Sequence, residues 1–117
     1  EDSSGIYYWY SEADTYCTDE NCDGMFYGNY FENMTYVDFS KFDTSNATSM
    51  KQMFYYTRIT NLDLTSFDTS NVTTFEQMFS NAKSTSIDIS SFKGNKVQSM
   101  KQMFYDASAV KSIDCKR

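Results

Sequence analysis

Apolar and polar residues follow a repeating pattern from residue 37 to the end of the chain. Each repeat begins with a short stretch in which apolar and polar residues alternate, as in Leu62-Asp63-Leu64, which is the period of a half-buried β-strand. A later stretch places Met50, Met53 and Phe54 at the spacing of one face of an α-helix. Turn-forming residues lie between the two stretches. The pattern therefore predicts one strand and one short helix in each repeat.

The repeat length is 25 residues, as two series of equivalent positions show: Phe42, Phe67 and Phe92, and Met53, Met78 and Met103. A single copy has too little apolar surface to bury its own hydrophobic face, so neighbouring copies must pack on one another. A strand and a short helix repeated at this period are typical of leucine-rich repeats. We therefore expect an α/β fold: a right-handed leucine-rich-repeat-like solenoid, with one short parallel strand and one short helix per repeat.

The pattern also divides the chain. We expect an N-terminal cap with a degenerate first repeat at residues 1–36, three full repeats at 37–61, 62–86 and 87–112, and a truncated fourth repeat. Within the cap, aligning Met25-Phe26 with Met53-Phe54 places Cys22 at the position of Met50. The aromatic run at residues 6–10 is predicted to be a strand that covers the first coil, because the end of a solenoid needs a cover. The incomplete fourth copy predicts a fragment of a longer protein.

The repeat contains a recognisable sequence motif. Residues 62–73 read Leu-Asp-Leu-Thr-Ser-Phe-Asp-Thr-Ser-Asn-Val-Thr, and Met78-Phe79 follow. This motif resembles the BspA-like bacterial surface-protein repeat family, and the resemblance covers residues 37–117. It implies a leucine-rich-repeat-type solenoid on exported proteins, a link to adhesion and host contact, and no shared catalytic site. The third copy departs from the motif, since Lys93-Gly94-Asn95-Lys96 replaces Asp-Thr-Ser-Asn.

The charge and composition of the chain argue against several classes of function and partner. The chain contains no histidine, which removes the commonest general base and the commonest metal ligand and so argues against an enzyme. Residues 1–36 contain eight acidic residues and no lysine or arginine, within a net charge of −6 for the whole chain. An acidic first third argues against a nucleic acid or an anionic membrane as partner. No apolar run is long enough to span a membrane.

The three cysteines are Cys17, Cys22 and Cys115. The short spacing permits a local disulfide between Cys17 and Cys22, whereas Cys115 lies too many coils away to reach either of them. Disulfide chemistry favours an oxidising compartment, so we expect a secreted or cell-surface protein.

A row of carboxylates is the first candidate site. The four aspartates hold the same place in successive strands, and a hydroxyl residue follows two positions later in the three full repeats, which gives Asp38, Ser40, Asp63, Thr65, Asp88, Ser90 and Asp114. Neighbouring carboxylates repel each other by about 1 kcal/mol per pair in water. One interpretation is a partner-binding face that gathers a cation or a basic surface. The other is structural, with each aspartate accepting hydrogen bonds from a turn.

A second candidate site lies in the acidic cap. Asp19, Asn21 and Asp23, followed by Gly24, match the opening of a calcium-binding loop. Tyr30 stands where an EF-hand loop needs a bidentate glutamate. The alternative is a capping helical turn, so no cofactor is expected except possible calcium.

These features predict a non-catalytic module for protein–protein interaction or adhesion, binding a protein or a glycan on a host or neighbouring cell. Two alternatives stay open: a calcium-dependent glycan-binding module, and a structural spacer in a larger surface protein. A hydrolase with paired carboxylates is disfavoured, because an aspartate repeated in every copy is typical of architecture and catalysis needs two carboxylates in different environments.

Overall fold

A computed structural model describes residues 15–16, 21–28, 35–40 and 42–114 of the 117-residue chain. In these ranges the chain forms five short strands: β1 (Thr15–Tyr16), β2 (Phe42–Asp43), β3 (Asn61–Asp63), β4 (Ser86–Asp88) and β5 (Ser112–Asp114). Strands β1 and β2 form one parallel pair, and β3, β4 and β5 form a parallel three-stranded sheet in that order. Leu62 is paired with Ile87, which is paired with Ile113, so the register follows the sequence repeat.

The predicted leucine-rich-repeat-like solenoid with one helix per repeat is wrong. The described residues contain no helix, and their sheets have only two and three strands of two or three residues each. The segment predicted to be helical is instead a run of overlapping turns, in which the N–H of Met53 donates to the Met50 carbonyl at 3.2 Å and that of Tyr55 to Gln52 at 3.2 Å. No helix in the described ranges is therefore long and apolar enough to cross a membrane.

Two backbone positions in each of these segments stop an α-helix. Gln52 and Tyr56 have φ angles of 57° and 60°, in the left-handed region that an α-helix of L-residues does not enter. The pattern recurs 25 and 50 residues later, at Gln77, Asn81, Gln102 and Asp106. We call the segments that share this conformation the first (49–57), second (74–82) and third (99–107) turn rows, and residues 21–28 the N-terminal turn row.

Hydrogen bonds between repeats explain why these segments are not helical. The N–H groups of Gln52 and Phe54 donate to the carbonyls of Glu76 and Met78 in the next turn row, each at 2.9 Å. An α-helix would use the same N–H groups within its own turns and leave none for a neighbour. Backbone hydrogen bonds between repeats have therefore replaced the hydrogen bonds of a helix. The side-chain pattern of a single repeat does not show this difference.

The apolar side chains that suggested a helix do form the core, so that part of the prediction is confirmed. Met50, Met53 and Phe54 are fully buried, and so are Met78 and Phe79. Equivalent phenylalanines stack along the repeats, with ring centroids 5.5 Å apart for Phe26–Phe54, 5.7 Å for Phe54–Phe79 and 5.2 Å for Phe79–Phe104. Rows of turns can thus aim apolar residues inward at the same sequence spacing as a helix.

The N-terminal turn row lies against the first turn row. The N–H of Cys22 donates to the Ser49 carbonyl at 3.0 Å, just as that of Met50 donates to Thr74 at 3.1 Å. Cys22 thus takes the place of Met50, but in turns and not in the predicted helical turn. Gly28 lies so close to the next row that a β-carbon there would overlap the Tyr56 carbonyl. The predicted aromatic strand at residues 6–10 lies outside the described residues.

Candidate functional site

The aspartates of the predicted partner-binding face lie side by side. Asp63 is the register partner of Asp88, and Asp88 is the register partner of Asp114. Asp38 and Asp63 are exposed, whereas Asp88 is half-buried. Of Asp114 only the backbone is described. The sequence therefore aligned Asp63, Asp88 and Asp114 correctly, whereas Asp38 lies outside the strands of the described residues, because the strand of its repeat is Phe42–Asp43.

The hydrogen bonds of these aspartates favour the structural interpretation. In Asp63, Oδ1 accepts the N–H of Thr65 at 3.1 Å and the Thr65 hydroxyl at 2.6 Å. In Asp88, Oδ1 accepts the N–H of Ser90 at 3.0 Å and the Ser90 hydroxyl at 2.6 Å. Asp38 accepts the N–H of Ser40 at 2.9 Å. Each of these three carboxylates therefore accepts hydrogen bonds from the residue two positions after it, which offsets the repulsion between neighbours.

Two repeats nevertheless form a shallow groove at this row. The groove has a volume of about 270 Å³ and is lined by Tyr36, Val37, Asp38, Phe39, Ser40, Asn61, Asp63, Thr65 and Ser66. Four of the seven predicted face residues thus meet around one depression. Ser90 lines a different hollow, formed by residues 89–95. The predicted continuous face is therefore divided, and the groove is its best-defined part.

Two further aspartates were predicted only as turn residues and not as part of a site. Asp43 accepts the N–H of Ser45 at 2.9 Å, and Asp68 accepts the N–H of Ser70 at 3.0 Å. Hydrogen bonds from the Ser45 backbone and side chain lower the pKa of Asp43, and those from the Ser70 side chain and backbone lower the pKa of Asp68. The shared Asp-x-Ser spacing with Asp38 is a signal that the sequence offered.

A partly exposed cluster of three tyrosines was also missed. Tyr27 and Tyr55 have ring centroids 5.0 Å apart, and Tyr55 and Tyr56 have centroids 4.7 Å apart. Tyr56 remains 41% exposed. Desolvation by burial, and then the neighbouring tyrosines, raise the pKa of the Tyr55 hydroxyl. The alignment of Cys22 with Met50 places Tyr27 and Tyr55 at equivalent positions, so the sequence contained this signal as well.

The candidate calcium ligands that the structure describes, Asn21 and Asp23, accept hydrogen bonds from the protein itself. Asp19 lies outside the described residues, while Asn21 Oδ1 accepts the N–H of Asp23 at 2.7 Å. Asp23 Oδ1 accepts the Ser49 hydroxyl and the N–H of Lys51, the latter at 2.9 Å. Asp23 therefore ties the N-terminal turn row to the first one. In the part of the chain that the structure describes, no three His, Cys, Asp or Glu residues are grouped to hold a metal ion.

Cys22 is disulfide-bonded and only 1% exposed. Cys17 and Cys115 both lie outside the described residues, and so does the predicted pairing of Cys17 with Cys22.

Comparisons with known proteins bear on the family. Neither the curated proteins nor the solved structures contain a match to this chain. The family model described as "Mycoplasma protein of unknown function, DUF285" matches residues 20–115, which include all four turn rows and strands β2 to β5. The match covers well over half of the sequence, and we conclude that the chain belongs to the DUF285 family.

Proposed function

We propose that this chain is a non-catalytic interaction module of an exported or cell-surface protein, which binds a protein or a glycan on a host or neighbouring cell. The observation that carries the proposal is the groove between residues 36–40 and β3, to which two successive repeats contribute side chains. The resemblance of the repeat to BspA-like surface proteins agrees with this role.

The groove offers the chemistry that recognition needs. Tyr36 is 43% exposed at its edge and presents a ring with an apolar body and a polar hydroxyl. Asp63 engages Oδ1 in its own turn, and within the described ranges no hydrogen bond engages its Oδ2. An aromatic ring beside carboxylates and hydroxyls suits a basic peptide segment or a sugar with several hydroxyls.

The equivalence of the carboxylates supports a non-catalytic role. Asp63 and Asp88 each accept one N–H and one hydroxyl from the residue two positions later, at nearly the same distances. A general acid and a general base need different environments, so that one carboxyl is protonated while the other is ionised. Here the two aspartates make the same hydrogen bonds, although Asp63 is exposed and Asp88 is half-buried.

A binding experiment with two matched tyrosine variants tests the proposal. The labelled chain is applied to cultured animal cells and to an array of immobilised glycans. Tyr36→Ala removes the ring at the groove, and Tyr105→Ala removes a ring that is 59% exposed outside it. We expect Tyr36→Ala to weaken binding by about tenfold or more, as for an aromatic hot-spot residue, and Tyr105→Ala to leave it unchanged.

Binding to neither cells nor glycans overturns the proposal in favour of a structural spacer. Equal losses from both tyrosine variants overturn the assignment to the groove. Repeating the measurement with EDTA separates the calcium-dependent alternative, because recognition through the Tyr36 ring and the groove hydroxyls needs no metal ion and predicts unchanged binding.

A further inference from the structure

Tyr56 has a backbone conformation that suits a tyrosine poorly. Its φ angle is 60°, in the left-handed region, where the β-carbon of an ordinary L-residue crowds the backbone. The second and third turn rows have Asn81 and Asp106 at this position, with φ angles of 59° and 53°. Asparagine and aspartate enter this region far more readily than a bulky side chain does. The local backbone therefore does not explain the tyrosine, and strain of this kind is concentrated at functional sites.

The Tyr56 ring lies at the surface and rests on a second tyrosine. Tyr56 is 41% exposed, and its ring centroid is 4.7 Å from that of Tyr55, with an interplanar angle of 71°. The Tyr55 ring lies in turn 5.0 Å from the Tyr27 ring of the N-terminal turn row, and both of these residues are half-buried. Two partly buried rings thus support an exposed one. The strained residue contributes an aromatic ring to the surface and little to the core.

Two cationic side chains lie beside this ring. Buried and exposed residues alternate over residues 56–60, so Tyr56 and Arg58 are exposed on the same side of the chain. Lys83 stands 25 residues after Arg58 and is also exposed, and its N–H donates to the Thr57 carbonyl at 2.8 Å. This bond places the two cations next to each other in successive repeats. In the part of the chain that the structure describes, neither cationic side chain forms an ion pair or a hydrogen bond.

We propose that Tyr56, Arg58 and Lys83 form a binding site for an acidic glycan, in which one sugar ring lies against Tyr56 and sugar carboxylates meet the two cations. A tyrosine ring has an apolar face and a polar hydroxyl, which suit the C–H face and the hydroxyls of a pyranose. A guanidinium binds a carboxylate through two parallel hydrogen bonds. Neighbouring repeats are about 4.8 Å apart, so consecutive acidic sugars of one chain meet both cations.

The exposed ring favours a sugar over an acidic peptide. An aspartate or glutamate side chain carries its carboxylate on a flexible stem, whereas an acidic sugar joins the carboxylate to a rigid ring with an apolar face. Asp106, at the position of Tyr56 in the third turn row, reverses the charge and limits the site to two repeats. The site shares no residue with the groove around Tyr36 and Asp63, so the inference does not rest on the proposed function.

The test measures binding of a galacturonic acid hexamer to the whole chain by isothermal titration calorimetry. The fully methyl-esterified hexamer is the matched ligand, with the same rings and no charge. We expect the acid to bind at least about tenfold more tightly than the ester, because the ester offers no carboxylate to the cations. We also expect the affinity for the acid to fall as the salt concentration rises.

Two variants of the site have matched controls. Tyr56→Asn introduces the residue of the second turn row, and we expect it to weaken binding by about tenfold or more without lowering the unfolding temperature, because relief of the backbone strain offsets the lost contact with Tyr55. Arg58→Gln should weaken binding to a similar degree. Lys51→Gln removes an exposed cation outside the site, and Tyr36→Ala removes the ring at the groove. Both controls should leave hexamer binding unchanged.

Several results overturn the proposal: no binding at about 1 mM hexamer, equal binding of the ester, or undiminished binding to Tyr56→Asn. A loss from Lys51→Gln equal to that from Arg58→Gln overturns it in favour of attraction to scattered charge. Tighter binding of a glutamate hexamer overturns the choice of a glycan in favour of an acidic protein. A loss from Tyr36→Ala in place of Tyr56→Asn assigns the sugar to the groove and overturns the separate site.

Discussion

The second and third repeats have nearly the same apolar pattern, and the structure gives them different surroundings. Phe75 and Phe79 in the second repeat are 2% and 0% exposed, because the third turn row covers them. At the equivalent positions of the third repeat, Met100 is 57% exposed and Phe104 is only partly buried. The same kind of residue is thus core in one copy and surface in the next. In this chain burial depends on the following row, not on the repeat's own sequence.

The difference in burial between the second and third repeats also affects how much each contributes to the stability of the fold. Complete burial of a large apolar side chain contributes about 1.5–3 kcal/mol to folding. Phe75 gains this contribution from its neighbour, and Met100 gains only part of it. Each repeat is therefore stabilised by the copy after it, which makes the third repeat the weaker of the two.

The largest expected difference comes from placing a charge at each position. Phe75→Asp would bury an unpaired carboxylate at a site that is 2% exposed, and we expect it to unfold the chain at room temperature. Met100→Asp should lower the free energy of unfolding by about 1 kcal/mol or less, because more than half of the side chain is already in water. Urea denaturation followed by circular dichroism measures both. Similar losses in the two variants would contradict the comparison.

A smaller difference is expected at the buried threonine. Thr69→Val keeps the shape but leaves the Lys93 N–H and carbonyl without their partner, at a cost of about 1–3 kcal/mol. Gly94→Val, at the equivalent position of the third repeat, removes no hydrogen bond and meets open space. We therefore expect Thr69→Val to lower the unfolding temperature and Gly94→Val to leave it unchanged. A matching decrease for Gly94→Val would show that this threonine does not link the repeats.

The smallest expected effect depends on pH. Hydrogen bonds from Ser70 lower the pKa of Asp68 below 3.8, so the ionised form stabilises the fold above that pH, and this contribution is lost as the pH falls through the lowered pKa. Lys93 replaces this aspartate in the third repeat. Asp68→Asn keeps an acceptor oxygen but does not titrate. Thermal melts from pH 7 to pH 2 should therefore show a slightly lower midpoint for the variant at neutral pH, and convergence with the parent in acid.

The spacing of the side chains predicted which residues lie in the core and in the aspartate row, but it did not predict the backbone conformation of the segments that carry the core residues. The alternation around Leu62 and Ile87 identified β3 and β4, and the aspartates between them were placed correctly in one row. The spacing of Met50, Met53 and Phe54 gave the right core residues and the wrong secondary structure. A run of turns with left-handed residues aims side chains inward at the same intervals as a helix, so periodicity alone does not separate them.

The sequence also predicted only part of the candidate site. Asp38, Ser40, Asp63 and Thr65 were predicted from the repeat, but the groove that gathers them also needs Tyr36 and Asn61, which no repeated motif marked. Their proximity depends on how the chain before one repeat packs beside the strand of the next. Tyr36 and Asn61 are one 25-residue period apart, so the repeat indicated that they are neighbours, but not that a depression forms between their two repeats.

The amino-acid sequence by itself determined the 25-residue period, the inward-facing residues and the alignment of the aspartates, because each of these follows from which side chains must leave water. Only the tertiary structure decided that the methionine-rich segments are turn rows and that their N–H groups bond to the next repeat. The physical reason is that backbone groups are the same at every residue. Whether an N–H bonds within its own segment or to a neighbour depends on whether that neighbour is present, and side-chain pattern does not encode it.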